Sequence, residues 1–345
     1  MPRGLVICVA VAATLLFSSV GSTRGEIVPK KKLGVVKAEW RFAPEMPPPI
    51  NRREPKIVEV SWHAKETQAE IVPGQKYLNY WTIEGRVPGP VLRIRVGDVV
   101  RVTFSNDIAN EYAHNIDFHF VTGPGGGAPA LSVAKGESAT IEARAMTPGF
   151  FMYHCATHDI PMHISNGMYG FVLVEPAGGL PRADREYYIT QSEFYTDDAG
   201  DGALKFSLDK GDREEPTYMF FNGAYGAISD EHALQAKVGE KVRLYVGNAG
   251  PNKISSFHVI GEIFDKVWRE ADLVSAPARS LQTTLIPAGG ATVVELTADI
   301  PGKYMLVDHA IFRLHKGLSG ELVVEGRPNP EVFEVIKAGS APSGH

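Results

Sequence analysis

Three blocks of sequence recur in the same order along this chain. Val96-Gly97-Asp98-Val99-Val100-Arg101-Val102 matches Val238-Gly239-Glu240-Lys241-Val242-Arg243-Leu244. Pro148-Gly149-Phe150-Phe151-Met152 matches Pro301-Gly302-Lys303-Tyr304-Met305. Gly167-Met168-Tyr169-Gly170-Phe171-Val172-Leu173-Val174-Glu175 matches Gly317-Leu318-Ser319-Gly320-Glu321-Leu322-Val323-Val324-Glu325. Matched blocks in a fixed order, at similar spacing, argue that one fold is present twice, and a chain of 345 residues has room for two domains of ordinary size. Short apolar segments such as Val91–Val96, Val99–Phe104, Phe171–Glu175, Val242–Val246 and Gly320–Glu325 alternate with turn residues. Their β-branched, period-2 character is that of antiparallel strands in sandwiches or barrels. The 35 glycines and 24 prolines exceed the average combined share of about 12% and suit many turns. Helical periodicity is nearly absent, with one short helix expected around Asp230–Ala236. The expectation is an all-β chain of two tandem Greek-key β-sandwich domains, residues 56–178 and 184–326. A Pro/Gly-rich join at Pro176–Arg182 links them, an extended lead segment (26–55) precedes them and a tail (327–345) follows.

Residues 1–25 read as a secretory signal peptide: Arg3, an apolar run from Leu5 to Phe17, then small residues. The alternative, a membrane anchor, needs a longer run of about 20 residues. Export to the periplasm and a mature chain without a membrane span are expected. Of the two cysteines, Cys8 leaves with the signal and Cys155 remains without a disulfide partner. The net charge of −5 gives no support for nucleic-acid binding. Lys30–Lys32 reads as a solvated turn, and the Gly-rich run 123–127 lacks the Lys-[Ser/Thr] of a phosphate-binding loop.

A solitary cysteine in an exported chain is an inert thiol, an intermolecular bridge or a metal ligand. The run from His154 to Met168 decides between them: Cys155, His163 and Met168 stand between two strands, with His114 upstream. Two imidazoles, a thiolate and a thioether are the ligand set of a blue-copper electron-transfer site, where a weak axial thioether keeps copper from its preferred tetragonal geometry. Structural zinc sites do not use thioethers.

His114 and His119 are five residues apart, so in a strand they face opposite ways; adjacent His154 and Cys155 do the same. A second metal on the far side then has His119 and His154, and a third imidazole is available at His309, in the second-domain segment corresponding to His154-Cys155. Three histidines and an open position make a catalytic metal site. At the ungapped repeat positions Asp308 replaces Cys155 and Leu318 replaces Met168, so the second domain cannot hold a blue site.

These residues resemble the copper-containing nitrite reductases of two cupredoxin domains. The resemblance covers about residues 75–326, through Arg86-Val87-Pro88-Gly89-Pro90, HNIDFH (114–119), TGPGGG (122–127), YHC (153–155), HISNGMYG (163–170), FNGAYGA (221–227) and VDHAIFR (307–313). It implies type 1 copper on His114, Cys155, His163 and Met168, and type 2 copper on His119, His154 and His309. It implies Asp117 and His258 as the proton-handling pair, Ile260 shaping the pocket, and nitrite reduced to nitric oxide with electrons from a donor such as a cupredoxin or c-type cytochrome. It further implies a homotrimer in which His309 comes from a neighbouring subunit. Two alternatives have a discriminating feature. A non-enzymatic blue-copper electron carrier needs only the first ligand set. A two-domain multicopper oxidase needs paired His-x-His motifs, and the chain contains none. His158, an extra imidazole in the copper loop, reads as a surface residue; His63, His232, His315 and His345 read as ordinary.

Overall fold

The computed structural model describes residues 27–341; the expected signal segment and His345 lie outside them. The first half carries β1 (Val35–Lys37), β2 (Trp40–Arg41), β3 (Ile57–Val72), β4 (Gln75–Ile83), β5 (Val91–Arg95), β6 (Val99–Asn106), β7 (Asp117–Phe118), β8 (Ser138–Arg144), β9 (Gly149–His154), helix α1 (Ile160–Ser165) and β10 (Tyr169–Glu175). The second half carries β11 (Arg185–Phe194), β12 (Thr196–Gly200), β13 (Ala203–Phe206), helix α2 (Leu208–Asp212), β14 (Tyr218–Phe221), β15 (Leu234–Lys237) and β16 (Lys241–Asn248). It continues with β17 (Ser255–Val259), β18 (Lys266–Trp268), β19 (Thr283–Ile286), β20 (Ala291–Thr297), β21 (Gly302–Asp308) and β22 (Ser319–Glu325). No helix among the described residues is long and apolar enough to cross a membrane.

Four sheets form. The first runs β12-β13-β4-β3-β6-β8 with β1 beside β3, the second β2-β5-β10-β9-β7, the third β14-β11-β16-β20-β18 and the fourth β15-β22-β21-β17-β19. The sequence repeat reappears as topology: β3-β6-β8 has its counterpart in β11-β16-β20, and β5-β10-β9-β7 in β15-β22-β21-β17. The sheets are mixed rather than antiparallel throughout, because β3·β6, β5·β10, β11·β16 and β15·β22 pair in parallel. Period-2 alternation reports which face is buried and carries no information on strand direction.

The sheets stack in order. Trp62, Val102 and Phe104 of the first meet Leu92, Ile94 and Val172 of the second. Leu244, Val246 and Val294 of the third meet Phe257, Leu306 and Leu322 of the fourth. Between these sandwiches lies a further core, Phe150, Met152, Phe171 and Leu173 against Tyr188, Tyr245 and Val293. β5 and β10 are therefore buried on both faces. A row of charges crosses this inner layer: Arg93 bonds Glu175 (2.6 Å) and Glu186 (2.6 Å), Arg243 bonds Glu186 (2.8 Å) and Glu295, and Lys266 bonds Glu295 (2.7 Å). Charges buried this way persist because each has a partner; removing one member of such a pair costs on the order of 3–5 kcal/mol.

Several segments depart from expectation. The lead segment is mostly extended but supplies two edge strands, β1 on β3 and β2 on β5. Lys30–Lys32 forms one 3-10 turn whose Lys30 Nζ reaches Glu142 at 2.8 Å. The Pro/Gly-rich join is tied down, with Arg95 donating to the Ala177 carbonyl and Arg243 to that of Pro181. The helix expected at Asp230–Ala236 is a 3-10 turn, Asp230–His232, followed by β15, whose alternating burial beside β22 outweighs the local helical preference. The β12–β13 hairpin lies beyond the join yet extends the first sheet through β13·β4.

Candidate metal centres

The end of β9, helix α1 and the start of β10 build the first centre. His114, Cys155 and His163 are all buried, with their ligand atoms within 4.8 Å of one another. The Cys155 sulfur lies 3.3 Å from His163 Nδ1 and 3.8 Å from His114 Nδ1. Met168 is fully buried in the same core cluster, held by Cys155 N–H donating to the Met168 carbonyl (3.0 Å) and by Met168 N–H donating to that of His163 (3.2 Å). Between those two residues stands Gly167 at φ 116, where a Cβ would come within 2.4 Å of Val87 and 2.7 Å of the Trp81 carbonyl; only glycine fits.

Groups around these side chains orient them. Asn115 N–H points at the Cys155 sulfur (3.5 Å), the Thr157 hydroxyl lies 3.3 Å from it, and Asn115 Oδ1 accepts from Ala156 N–H (2.7 Å). His114 Nε2 meets Glu66 at 2.9 Å, leaving Nδ1 on the sulfur side. Burial alone would push the Cys155 thiol up, but the bonds from His114 and His163 and their charge outweigh it and hold the thiol well below its usual range. A thiolate beside two imidazoles and a buried methionine fits copper by donor chemistry.

The second centre shares the chain at His154. Asp117, His119 and His154 bring ligand atoms within 4.8 Å of one another. Asp117 pairs with His154 across β7·β9, and the His119 and His154 rings are 5.1 Å apart. His119 reaches the surface, yet the protein around its ring and the neighbouring His154 lower its pKa, with Asp117 acting in the other direction. The opposition of His114 and His119 is present, one buried and one open, but not by strand alternation: only Asp117–Phe118 is a strand here, and His114 is held by a bridge to Val133. Gly126, at φ 53, has the Asp117 carboxylate where a Cβ would be, so the Gly-rich run lets backbone pack against this acid.

Within one chain His309 does not join this group. The His119–His154 pocket is lined by Met152, Ile160, Pro161 and Gly289 among others, whereas His309 lines a separate open pocket of about 340 Å³ with Ser256, His258, Gln282 and Thr283. The His258 and His309 rings are 5.5 Å apart. The chain therefore does not bring Asp117 to His258 either. Ile260, just past β17, is half-buried, its N–H donating to the Met305 carbonyl (2.8 Å). His158 is exposed, and among the described residues His63, His232 and His315 join neither group.

Two multicopper oxidase family models match residues 64–178 and 201–327. A copper-containing nitrite reductase of Neisseria meningitidis serogroup B is 48% identical over 320 residues, 92% of this chain and 81% of the relative. The chain belongs to the copper-containing nitrite reductases. A nitrite reductase of Cereibacter sphaeroides is 35% identical, over 84% of this chain and 80% of its own length. The solved copper nitrite reductase of Nitrosomonas europaea superposes with a TM-score of 0.71 at 35% identity, covering 80% of this chain and 96% of that one. Copper is thus the metal of this nitrite reductase family member. Glu66 and Thr157 had no motif to reveal them in the sequence; Asn115 was visible only as the neighbour of His114.

Proposed function

We propose that this chain reduces nitrite by one electron to nitric oxide, taking up two protons and releasing water. The observation that carries this reading is that two ligand groups stand back to back on adjacent residues, Cys155 in one and His154 in the other. His114, Cys155, His163 and Met168 would hold type 1 copper, and His119, His154 and His309 type 2 copper. Bound copper supplies a one-electron couple at the first centre and a Lewis-acid substrate site at the second. The peptide joining Cys155 to His154 gives the two centres a covalent connection a few bonds long.

The chain's own groups handle the protons. Asp117, half-buried beside His119, is placed to hydrogen-bond a nitrite oxygen and pass a proton to it. His258 donates through Nδ1 to the Gln282 carbonyl (2.5 Å), which fixes the tautomer and leaves Nε2 to hold and release the second proton. Ile260 would wall the pocket.

A homotrimer accounts for the separation of His309 from His119 and His154, with each site completed across an interface. Ile311 and Phe312, the latter 79% exposed, stand beside His309 as an apolar surface for a second copy. The Leu5–Phe17 run supports export to the periplasm, where a cupredoxin or c-type cytochrome is a suitable donor. The test is nitrite-dependent nitric oxide release with a reduced artificial donor, together with copper analysis. Absence of nitric oxide, or one copper per chain at full activity, overturns the reading.

A further inference from the structure

The second domain lacks the first domain's Cys/His/Met set, and other side chains fill the corresponding space. Asp308 stands where the first domain has Cys155, and Arg313, reached by the Gly167/Gly317 alignment, stands where it has His163. The backbone settings correspond: Asn115 N–H points at the Cys155 sulfur, and Ser256 N–H donates to Asp308 Oδ1 (3.0 Å). Asp308 is fully buried and every contact it makes is to a donor. Oδ1 also accepts from Ala310 N–H (3.0 Å), and Oδ2 accepts from Gln191 Nε2 (3.0 Å) and from Arg313 Nη1. Arg313 Nη1 also donates to the Ile254 carbonyl (2.7 Å), just ahead of β17.

His309 lies between Asp308 and Ala310, and its own N–H donates to the Ser256 carbonyl (2.7 Å). The Asp308 carboxylate thus clamps both sides of the His309 backbone to the strand that carries His258. We infer that Asp308 is a positioning residue for His309, with Arg313 as its counter-charge, so that a buried ion pair in the second domain does for its loop what the metal does in the first. This rests on the reading of His309 as a type 2 copper ligand.

The experiment uses the full chain loaded with copper. Asp308→Asn keeps the size of the side chain and removes the charge facing Arg313. It is expected to weaken copper binding at the second centre about 10–100-fold, the usual effect of losing an outer-sphere partner. The thiolate absorption of the first centre and the assembled mass stay unchanged. A merely structural role would lower the melting temperature and leave the copper affinity alone, and that result overturns the proposal. Should Asp308→Asn fail to fold, Gln191→Ala removes one hydrogen bond to the same carboxylate; it is expected to weaken the same affinity to a smaller degree, and an unchanged affinity overturns the proposal. His309→Ala separates the two readings: if it retains the second copper, the ligand assignment fails; if it loses that copper while Asp308→Asn keeps it, only the positioning role fails.

Discussion

The two sandwiches share one frame and differ in what neutralises charge at the same corner. In the first domain a buried cysteine meets two imidazoles, and in the second a buried aspartate meets a guanidinium. The correspondence extends outward. Asp117 pairs with His154 across β7·β9 as His258 pairs with Val307 across β17·β21, and His119 N–H donates to Met152 as Ile260 N–H donates to Met305. The proposed proton-handling pair thus occupies equivalent positions in the two copies. The same patch stands in both copies; under the proposed function one copy holds the redox centre and the other donates one imidazole.

The hardest blow to this comparison is Cys155→Ala. It is expected to abolish the thiolate-to-copper absorption and nitrite turnover while leaving the second copper in place, checked by optical spectroscopy and copper analysis; surviving colour would mean that Cys155 is not the thiolate ligand of the first centre. Next is Asp117→Asn, expected to keep both coppers and slow turnover by about 10²–10⁴-fold, the usual worth of a positioned acid or base; steady-state kinetics at full rate would remove Asp117 from its role. The smallest effect sharpens the contrast by exchange. Met168→Leu and Leu318→Met are near volume-conserving and should each cost less than about 1.5 kcal/mol by denaturant unfolding. Only Met168→Leu should shift the spectrum and potential of the first copper, since Leu318 faces no metal ligand set.

Much of this was legible in the sequence because the candidate ligands cluster locally. Cys155, His163 and Met168 lie on one loop, and the repeat blocks fall on β6, β9, β10 and their counterparts β16, β21 and β22. What stayed hidden depends on partners distant in sequence. Arg93, in a strand that reads as alternating, is buried because Glu175 and Glu186 come to it from two other strands. Glu66 reaches His114 from β3, across 48 positions of chain. Arg313 ends the VDHAIFR motif and the repeat sets it opposite His163, but its pairing with the Asp308 carboxylate appears only in the folded chain. The resemblance implies that His309 joins from a neighbouring subunit, and the folded chain shows its pocket apart from that of His119 and His154.

The β12–β13 hairpin has a consequence for anyone dissecting or recombining such proteins. The chain leaves the third sheet after β11, adds this hairpin to the free edge of β4, and returns to the third sheet as β14. A cut at the join strips β4 of its cover and leaves an unpaired edge, the surface on which strands of other molecules add. A cut after Phe206 instead removes β11 from the domain it belongs to. No single break divides the molecule into two whole sheets-on-sheets, so exchange of halves between relatives has to transplant the hairpin and the β4 edge together.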